Sequence, residues 1–182
     1  MLSESDISLG ETATWLRLVT RHVIEAFLGT LAVSHGWKKL YLISPWISDL
    51  PIECGLSLSQ LLKGLKDYGT TAYVVTRPPV QEHDWHQEAV DRFAASGMAS
   101  VVFVPELHTK LYCAYTSYGG FALLGSANLT VNSLRNQEIG VVVRERGAGK
   151  TLFRRLISEA AAIYRSPSRS VVCERRFQIR GR

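Results

Sequence analysis

The 182 residues are enough for one domain with a real core and too few for two substantial ones. Hydrophobic residues at 46% and charged residues at 20% exclude a disordered or fibrous chain. The net charge of +5 and a pI near 9.3 favour a polyanionic partner, nucleic acid or an anionic membrane surface, without choosing between them.

In chain order, Met1-Leu2-Ser3-Glu4-Ser5-Asp6 is acidic and polar where a secretory signal would be basic and then apolar. From Glu11 to about Ser34, Leu16, Val19, Val23, Phe27 and Leu31 recur at three- and four-residue intervals, which predicts one helix with a buried face, ended by Gly36. Lys39 to Ser44 reads as a buried strand broken by Pro45. The loop that follows, Trp46 to Gly55, leaves a strand's C-terminal end, where α/β sheets commonly hold ligands. A second helix fits Ser57 to Asp67, and Thr71 to Thr76 is a strand that Arg77-Pro78-Pro79 terminates.

Gln81 to Ser96 suits a third helix, with Gly97 just past its end. Ser100 to Val104, Thr109 to Tyr115 and Phe121 to Leu124 read as strands, the last two joined by a hairpin turn over Thr116 to Gly120. Gly140 to Val143 gives one more strand and Gly149 to Tyr164 a closing helix. Units of strand and helix mixed with a hairpin predict an α/β fold, a mixed sheet covered by helices, in a single domain over residues 1–165.

Residues 166–182 are expected to form a basic tail, since Arg169, Arg175, Arg176, Arg180 and Arg182 follow closely on Arg165. It reads equally as a solvated terminus, a phosphate-contacting arm or an interface with a partner, and Val171, Val172 and Phe177 indicate that part of it packs. Cys54, Cys113 and Cys173 are odd in number and lack metal-ligand spacing, so reduced thiols in a cytoplasmic protein are expected. No apolar run reaches the length of a membrane span.

The chemistry concentrates in His108-Thr109-Lys110, Gly125-Ser126-Ala127-Asn128 and Asn136-Gln137-Glu138. Residues two apart on a strand share a face, so His108 and Lys110 are expected to present an imidazole and an ammonium to one spot. The hairpin then returns Gly125 to Asn128 beside them. Gly125 permits close backbone approach, and Ser126 and Asn128 offer neutral donors to an oxyanion. Ser126 and Asn128 equally suit the start of a helix near Leu129, and capping and phosphate binding coexist at a helix N-terminus.

His108-x-Lys110, Gly125-Ser126-x-Asn128 and Asn136-x-Glu138 together resemble the HKD motif of the phospholipase D superfamily, whose members include bacterial endonucleases, phospholipases and tyrosyl-DNA phosphodiesterases. Leu42-Ile43-Ser44-Pro45-Trp46-Ile47 looks like the first core strand and loop of that family, so the resemblance runs from about Leu40 to Val143. It implies the phospholipase D/nuclease fold and phosphodiester cleavage without metal or cofactor. His108 would form a phosphohistidine, Lys110 and Asn128 would stabilise the phosphoryl oxygens, and Glu138 would hydrogen-bond and orient His108. Tyr115 stands where the motif's Asp is expected, a departure shared by the tyrosyl-DNA branch.

The family's reaction uses a second His as acid and then base, normally from a second HKD motif. No second His-x-Lys exists at His22, His35, His83 or His86. The resemblance therefore implies a two-fold homodimer in which both copies give His108 and Lys110 to one composite site. Ser126 is expected to contact substrate, and Arg77, Trp46 and Asp49, which follow predicted strand ends, are candidates to line the groove, with core or loop packing the favoured reading for Trp46.

His83-Asp84-Trp85-His86 lacks the His-Glu-x-x-His spacing and a third ligand, so it reads as a solvated helix start with Asp84 at the positive end of the dipole, and no metal site is expected. Lys150-Thr151 after Gly147-Ala148-Gly149 fails as a phosphate loop, because Arg144 occupies the place of the leading glycine. The leading function is a nuclease on DNA or RNA. Small single-motif members of the superfamily resemble phage-defence nucleases that work beside a motor ATPase, which implies an antiviral role and such a partner. Two other readings stand beside it: a phospholipid phosphodiesterase, and a non-catalytic nucleic-acid-binding or assembly subunit, which Tyr115 keeps open.

Overall fold

Apolar side chains alternate along the central strands and send a hydrophobic layer to each side of one sheet. The computed structural model describes residues 14–52, 55–146, 151–166 and 170–171. Its strands are β1 (Thr14–Val19), β2 (Lys39–Ile43), β3 (Thr71–Thr76), β4 (Ser100–Phe103), β5 (Leu111–Tyr115), β6 (Gly119–Gly125), β7 (Gly140–Arg146) and β8 (Ser170–Val171). The helices are α1 (Val23–Val33), α2 (Leu58–Asp67), α3 (Asp84–Ala95), α4 (Val131–Arg135) and α5 (Thr151–Tyr164).

The eight strands form one sheet in the order β1-β7-β6-β5-β2-β3-β4-β8. β2, β3 and β4 are parallel, and β5, β6, β7 and β1 continue antiparallel from the other edge of β2. On one face Leu40, Leu42, Val74, Tyr112 and Leu123 pack with α1, α2 and α3. On the other, Tyr41, Ile43, Val75, Cys113 and Ala122 pack with Phe153, Leu156 and Ala160 of α5. Strands buried on both faces read as continuous apolar runs, which is why β2 and β5 lack polar alternation. The expected mixed sheet between helices is what the chain forms.

One expected helix forms only in its second half. Thr14–Val19 is an edge strand, paired from Thr14↔Glu145 to Val19↔Gly140, and only Val23–Val33 is helical. The break falls at His22, in the left-handed region at φ 52. Val23, Phe27 and Leu31 do form a buried helical stripe, but Leu16 and Val19 belong to the strand, whose backbone groups are satisfied by β7 instead of by a helix.

A second difference bears on the site: β5 begins at Leu111, so His108, Thr109 and Lys110 lie in the segment leading into it and not on a strand face. β7 runs on to Arg146, longer than expected, because β6 pairs along its whole length and β1 as far as Glu145. β6 starts at Gly119. A Cβ at Gly120 would strike the Phe153 ring and the Ala114 carbonyl, so glycine there lets α5 reach the sheet. β8 extends the β4 edge. Arg169, Arg175, Arg176, Arg180 and Arg182 of the expected arm, together with Cys54, Cys173 and Gly147 to Lys150, lie outside the described residues. Among the described residues no helix is long and apolar enough to cross a membrane.

Candidate active site

The C-terminal ends of β2, β3, β4 and β6 and the N-terminal ends of β5 and β7 meet at one end of the sheet. Ser44, buried just after β2, ties two of the converging segments together. Its hydroxyl donates to the Trp46 carbonyl at 2.7 Å and accepts from the Leu129 N–H at 3.0 Å. Ser48 N–H donates to the Leu129 carbonyl at 2.8 Å, and the Ser48 hydroxyl accepts from Val131 N–H at 3.2 Å. The buried Tyr112 hydroxyl donates to the Ala127 carbonyl at 2.8 Å. Burial pushes the Tyr112 phenol above its ordinary range, with a Ser44 hydrogen bond opposing and the Glu138 charge adding, so it stays a donor. Residues on both sides of Asn128 are thus pinned from beneath.

His108 is exposed, and its Nε2 lies 2.7 Å from Arg77 Nη2. Arg77 Nε donates to the Leu107 carbonyl at 2.7 Å, and the guanidinium carbon sits 5.7 Å from the centre of the Trp46 ring. A guanidinium has donors only, so Nε2 accepts and the ring proton resides on Nδ1. Lys110 Nζ donates to the His108 carbonyl at 3.1 Å. Arg77 therefore brings a cationic group to an unprotonated imidazole nitrogen, Lys110 binds the His108 backbone, and Trp46 lies under the Arg77 guanidinium.

Ser126 and Glu138 come together through the β6–β7 register, which pairs Gly125 with Gly140 and continues as Ser126 N–H to the Ile139 carbonyl at 2.9 Å. A Cβ at Gly125 would run into the Ile139 carbonyl, so this approach depends on glycine. The Ser126 hydroxyl donates to the Glu138 carboxylate and accepts from Ile139 N–H at 3.1 Å. The expectation that Glu138 bonds His108 is thereby corrected: within this chain the partner of His108 is Arg77, and Glu138 holds Ser126. Asn128 is half-buried, and its Oδ1 is shut off from solvent with no donor among the described residues. Such an orphan atom in a site keeps hydrogen-bonding capacity unspent.

Two residues behave differently from expectation. Asp49 does not line the groove: its carboxylate accepts from Ser59 N–H and Ser59 Oγ, both at 2.7 Å, and from Arg92, and so fastens the loop to the first turn of α2. His86 is not solvated but fully buried. Its Nε2 lies 3.0 Å from the Arg77 carbonyl, and its Nδ1 lies 3.2 Å from Ile47 N. A neutral ring donating from Nε2 and accepting at Nδ1 satisfies both, which holds the Arg77 and Ile47 backbones at a fixed spacing. His86 shares the stripe of Ala89, Val90 and Phe93, and that helical spacing was the sequence signal for its burial. Among the described residues no group of three or more His, Cys, Asp or Glu is placed to hold a metal ion.

Tyr115 ends β5, pairing with Lys39 and Gly120 and packing in the layer under α5. Four strand steps, about 13 Å, separate it from Leu111 at the other end of β5, so Tyr115 lies away from the His108 segment.

The fold is that of the phospholipase D superfamily. The chain is similar to a phospholipase D family member, Nuc from Salmonella typhimurium, at a TM-score of 0.60 and 15% identity over 88% of this chain and 98% of that one. It is also similar to polyphosphate kinase from Porphyromonas gingivalis (TM-score 0.61, 14% identity, 85% of this chain and 26% of that one). Phosphatidylserine synthase from Haemophilus influenzae is a third (TM-score 0.60, 12% identity, 88% and 40%). The chain thus spans nearly all of Nuc and about a quarter and two-fifths of the other two. No protein-family model matches the sequence, and neither does any curated protein.

Proposed function

We propose that this phospholipase D-type domain is a metal-independent phosphodiesterase that cuts DNA or RNA through a phosphohistidine, working as a homodimer. The observation that carries the reading is the Arg77–His108 hydrogen bond, which requires an unprotonated Nε2 on an exposed imidazole beside a guanidinium. Phosphodiester cleavage needs a nucleophile, positive charge on the non-bridging oxygens and a proton for the leaving oxygen.

In this mechanism a phosphoryl oxygen takes over the Arg77 hydrogen bond, which frees the Nε2 lone pair to attack phosphorus. The P–N bond forms as the bond to the leaving oxygen breaks, and that oxygen takes a proton from His108 of a second copy, which enters the step as the imidazolium and leaves it neutral. Water then attacks phosphorus, gives its proton to the same second imidazole, and the P–N bond breaks. Arg77, Lys110 and Asn128 hold the phosphoryl oxygens throughout, while Glu138 acts on the site through Ser126.

Supporting nucleic acid as substrate are the net charge of +5 and the Arg77–Trp46 stack, a pairing suited to phosphate next to a base. A role in phage defence beside a motor ATPase is the corresponding biological proposal. The test is to incubate the protein and its His108→Ala variant with DNA, RNA and phospholipid in EDTA, measuring mass in solution in parallel. Cleavage of nucleic acid by the wild type alone, an acid-labile phosphorylated histidine and a dimeric mass are expected. Activity that needs divalent metal, survives the substitution or resides in a monomer overturns the mechanism.

A further inference from the structure

Beside the reacting atoms the chain carries an aromatic array that phosphodiester chemistry does not require. The Trp46 ring, half-buried in the loop after β2, meets His83 edge-on at 4.8 Å between centroids, with an interplanar angle of 89°. His83 in turn lies 5.1 Å from Trp85, their planes inclined by 31°. Trp85 is 39% exposed on the first turn of α3. On its inner side the array touches Arg77, whose guanidinium lies over Trp46 and reaches His108. The sequence His108, Arg77, Trp46, His83, Trp85 is therefore a continuous path from the nucleophile outward over the surface.

Helix capping does not explain this placement. His83 occupies the N-cap of α3 without a side-chain cap bond, and its Nδ1 donates instead to the Glu82 carbonyl at 2.8 Å. An indole left more than a third exposed at such a position sacrifices burial that the core offers to aromatic rings elsewhere. Glu82 and Asp84 flank the outer rings and are both exposed, so this surface repels a phosphate and suits an uncharged flat group. Phosphate goes to Arg77 and Lys110, and the rings are left for a base.

We propose that Trp46, His83 and Trp85 form a base-stacking subsite that takes an unpaired nucleobase next to the scissile phosphate, making single-stranded nucleic acid the substrate class. The proposal rests on the phosphodiesterase reading of His108 and narrows it. In a duplex, base faces are covered by their neighbours and unavailable to an indole, whereas in a single strand every base offers one.

The experiment measures binding separately from cleavage, by fluorescence anisotropy in the His108→Ala background. The probes are a labelled single-stranded deoxyoligonucleotide, its ribo counterpart, the matching duplex and a strand of equal charge with abasic sites. The single strands are expected to bind more tightly than the duplex and to quench tryptophan emission, while the abasic strand does not quench. Trp85→Ala should weaken single-strand binding by about 5- to 100-fold, and Trp85→Phe should restore most of it.

Equal affinity for the base-bearing and abasic strands, or an unchanged affinity in Trp85→Ala, overturns the subsite. If the deoxy and ribo strands differ, the source of the base is resolved between them. Base-dependent binding by a wild type that cleaves nothing keeps the subsite and removes the enzyme. Cleavage without base dependence does the reverse.

Discussion

Arg77 Nη2 and His108 Nε2 stand 2.7 Å apart, a contact made across 31 residues of sequence by the ends of two strands. The guanidinium holds the imidazole in the Nδ1-protonated tautomer and is itself fixed by the Leu107 carbonyl. Both groups are donated by segments just outside the sheet, so their geometry is set by β3 and β5 and not by local sequence.

Substituting Arg77 by Ala should therefore change both the state of His108 and the rate. In ring-nitrogen NMR the His108 tautomer is expected to move from Nδ1–H towards the Nε2–H form. The turnover number is expected to fall by about 100-fold, the scale of losing one preorganised donor to a developing oxyanion. Arg77→Lys should recover part of the rate without restoring the tautomer, because an ammonium supplies charge but not the planar fork.

Ser44→Ala should be costly for its size. The Leu129 N–H would be left buried without an acceptor, which costs about 1–3 kcal/mol. In a chain this long each kcal/mol lowers the Tm by about 2–4 °C. Activity should drop at temperatures where the variant is still folded, because the segment carrying Asn128 loses its anchor. Calorimetry and an assay on the same preparation check the two effects together.

Replacing His86 by Leu keeps bulk on the buried face of α3 but leaves Ile47 N–H and the Arg77 carbonyl without their partner. A loss of about 2–4 kcal/mol in urea unfolding is expected, on the scale of two buried polar groups unsatisfied. If His86 instead bound a metal, the loss would depend on metal in the buffer. The same midpoint with EDTA and with zinc is the expected result.

Alkaline titration should destabilise the fold from pH 9 upward. Burial pushes the Cys113 thiol well above its ordinary value near 9.0, and pushes Tyr41 up to about 12, with Tyr115 and Tyr73 adding to the latter. Both groups have raised pKa values in the folded chain. Their contribution is therefore complete below the unfolded values and is lost as pH rises, first past about 9 for the thiol and then between 10.0 and about 12 for Tyr41. Denaturant midpoints across pH 7 to 11 measure this, and Cys113→Ala should flatten the first part of the decline.

Chemical identity and spacing along the chain were legible from the sequence alone. His-x-Lys, Gly-Ser-x-Asn and Asn-x-Glu pointed to phosphate chemistry, and apolar runs bounded by Pro and Gly located β2, β3 and the hairpin. These are local properties, set by side-chain type and backbone preference. The edge strand at Thr14–Val19 was not legible, because its apolar spacing also fits a helix and the deciding hydrogen bonds come from β7, more than a hundred residues away. For the same reason only the tertiary structure decided who partners whom: Arg77 with His108, Glu138 with Ser126, His86 with the Ile47 and Arg77 backbones. A hydrogen bond fixes an angle and a distance between two atoms, and no spacing in one dimension carries that information when the sheet brings the atoms together from opposite directions.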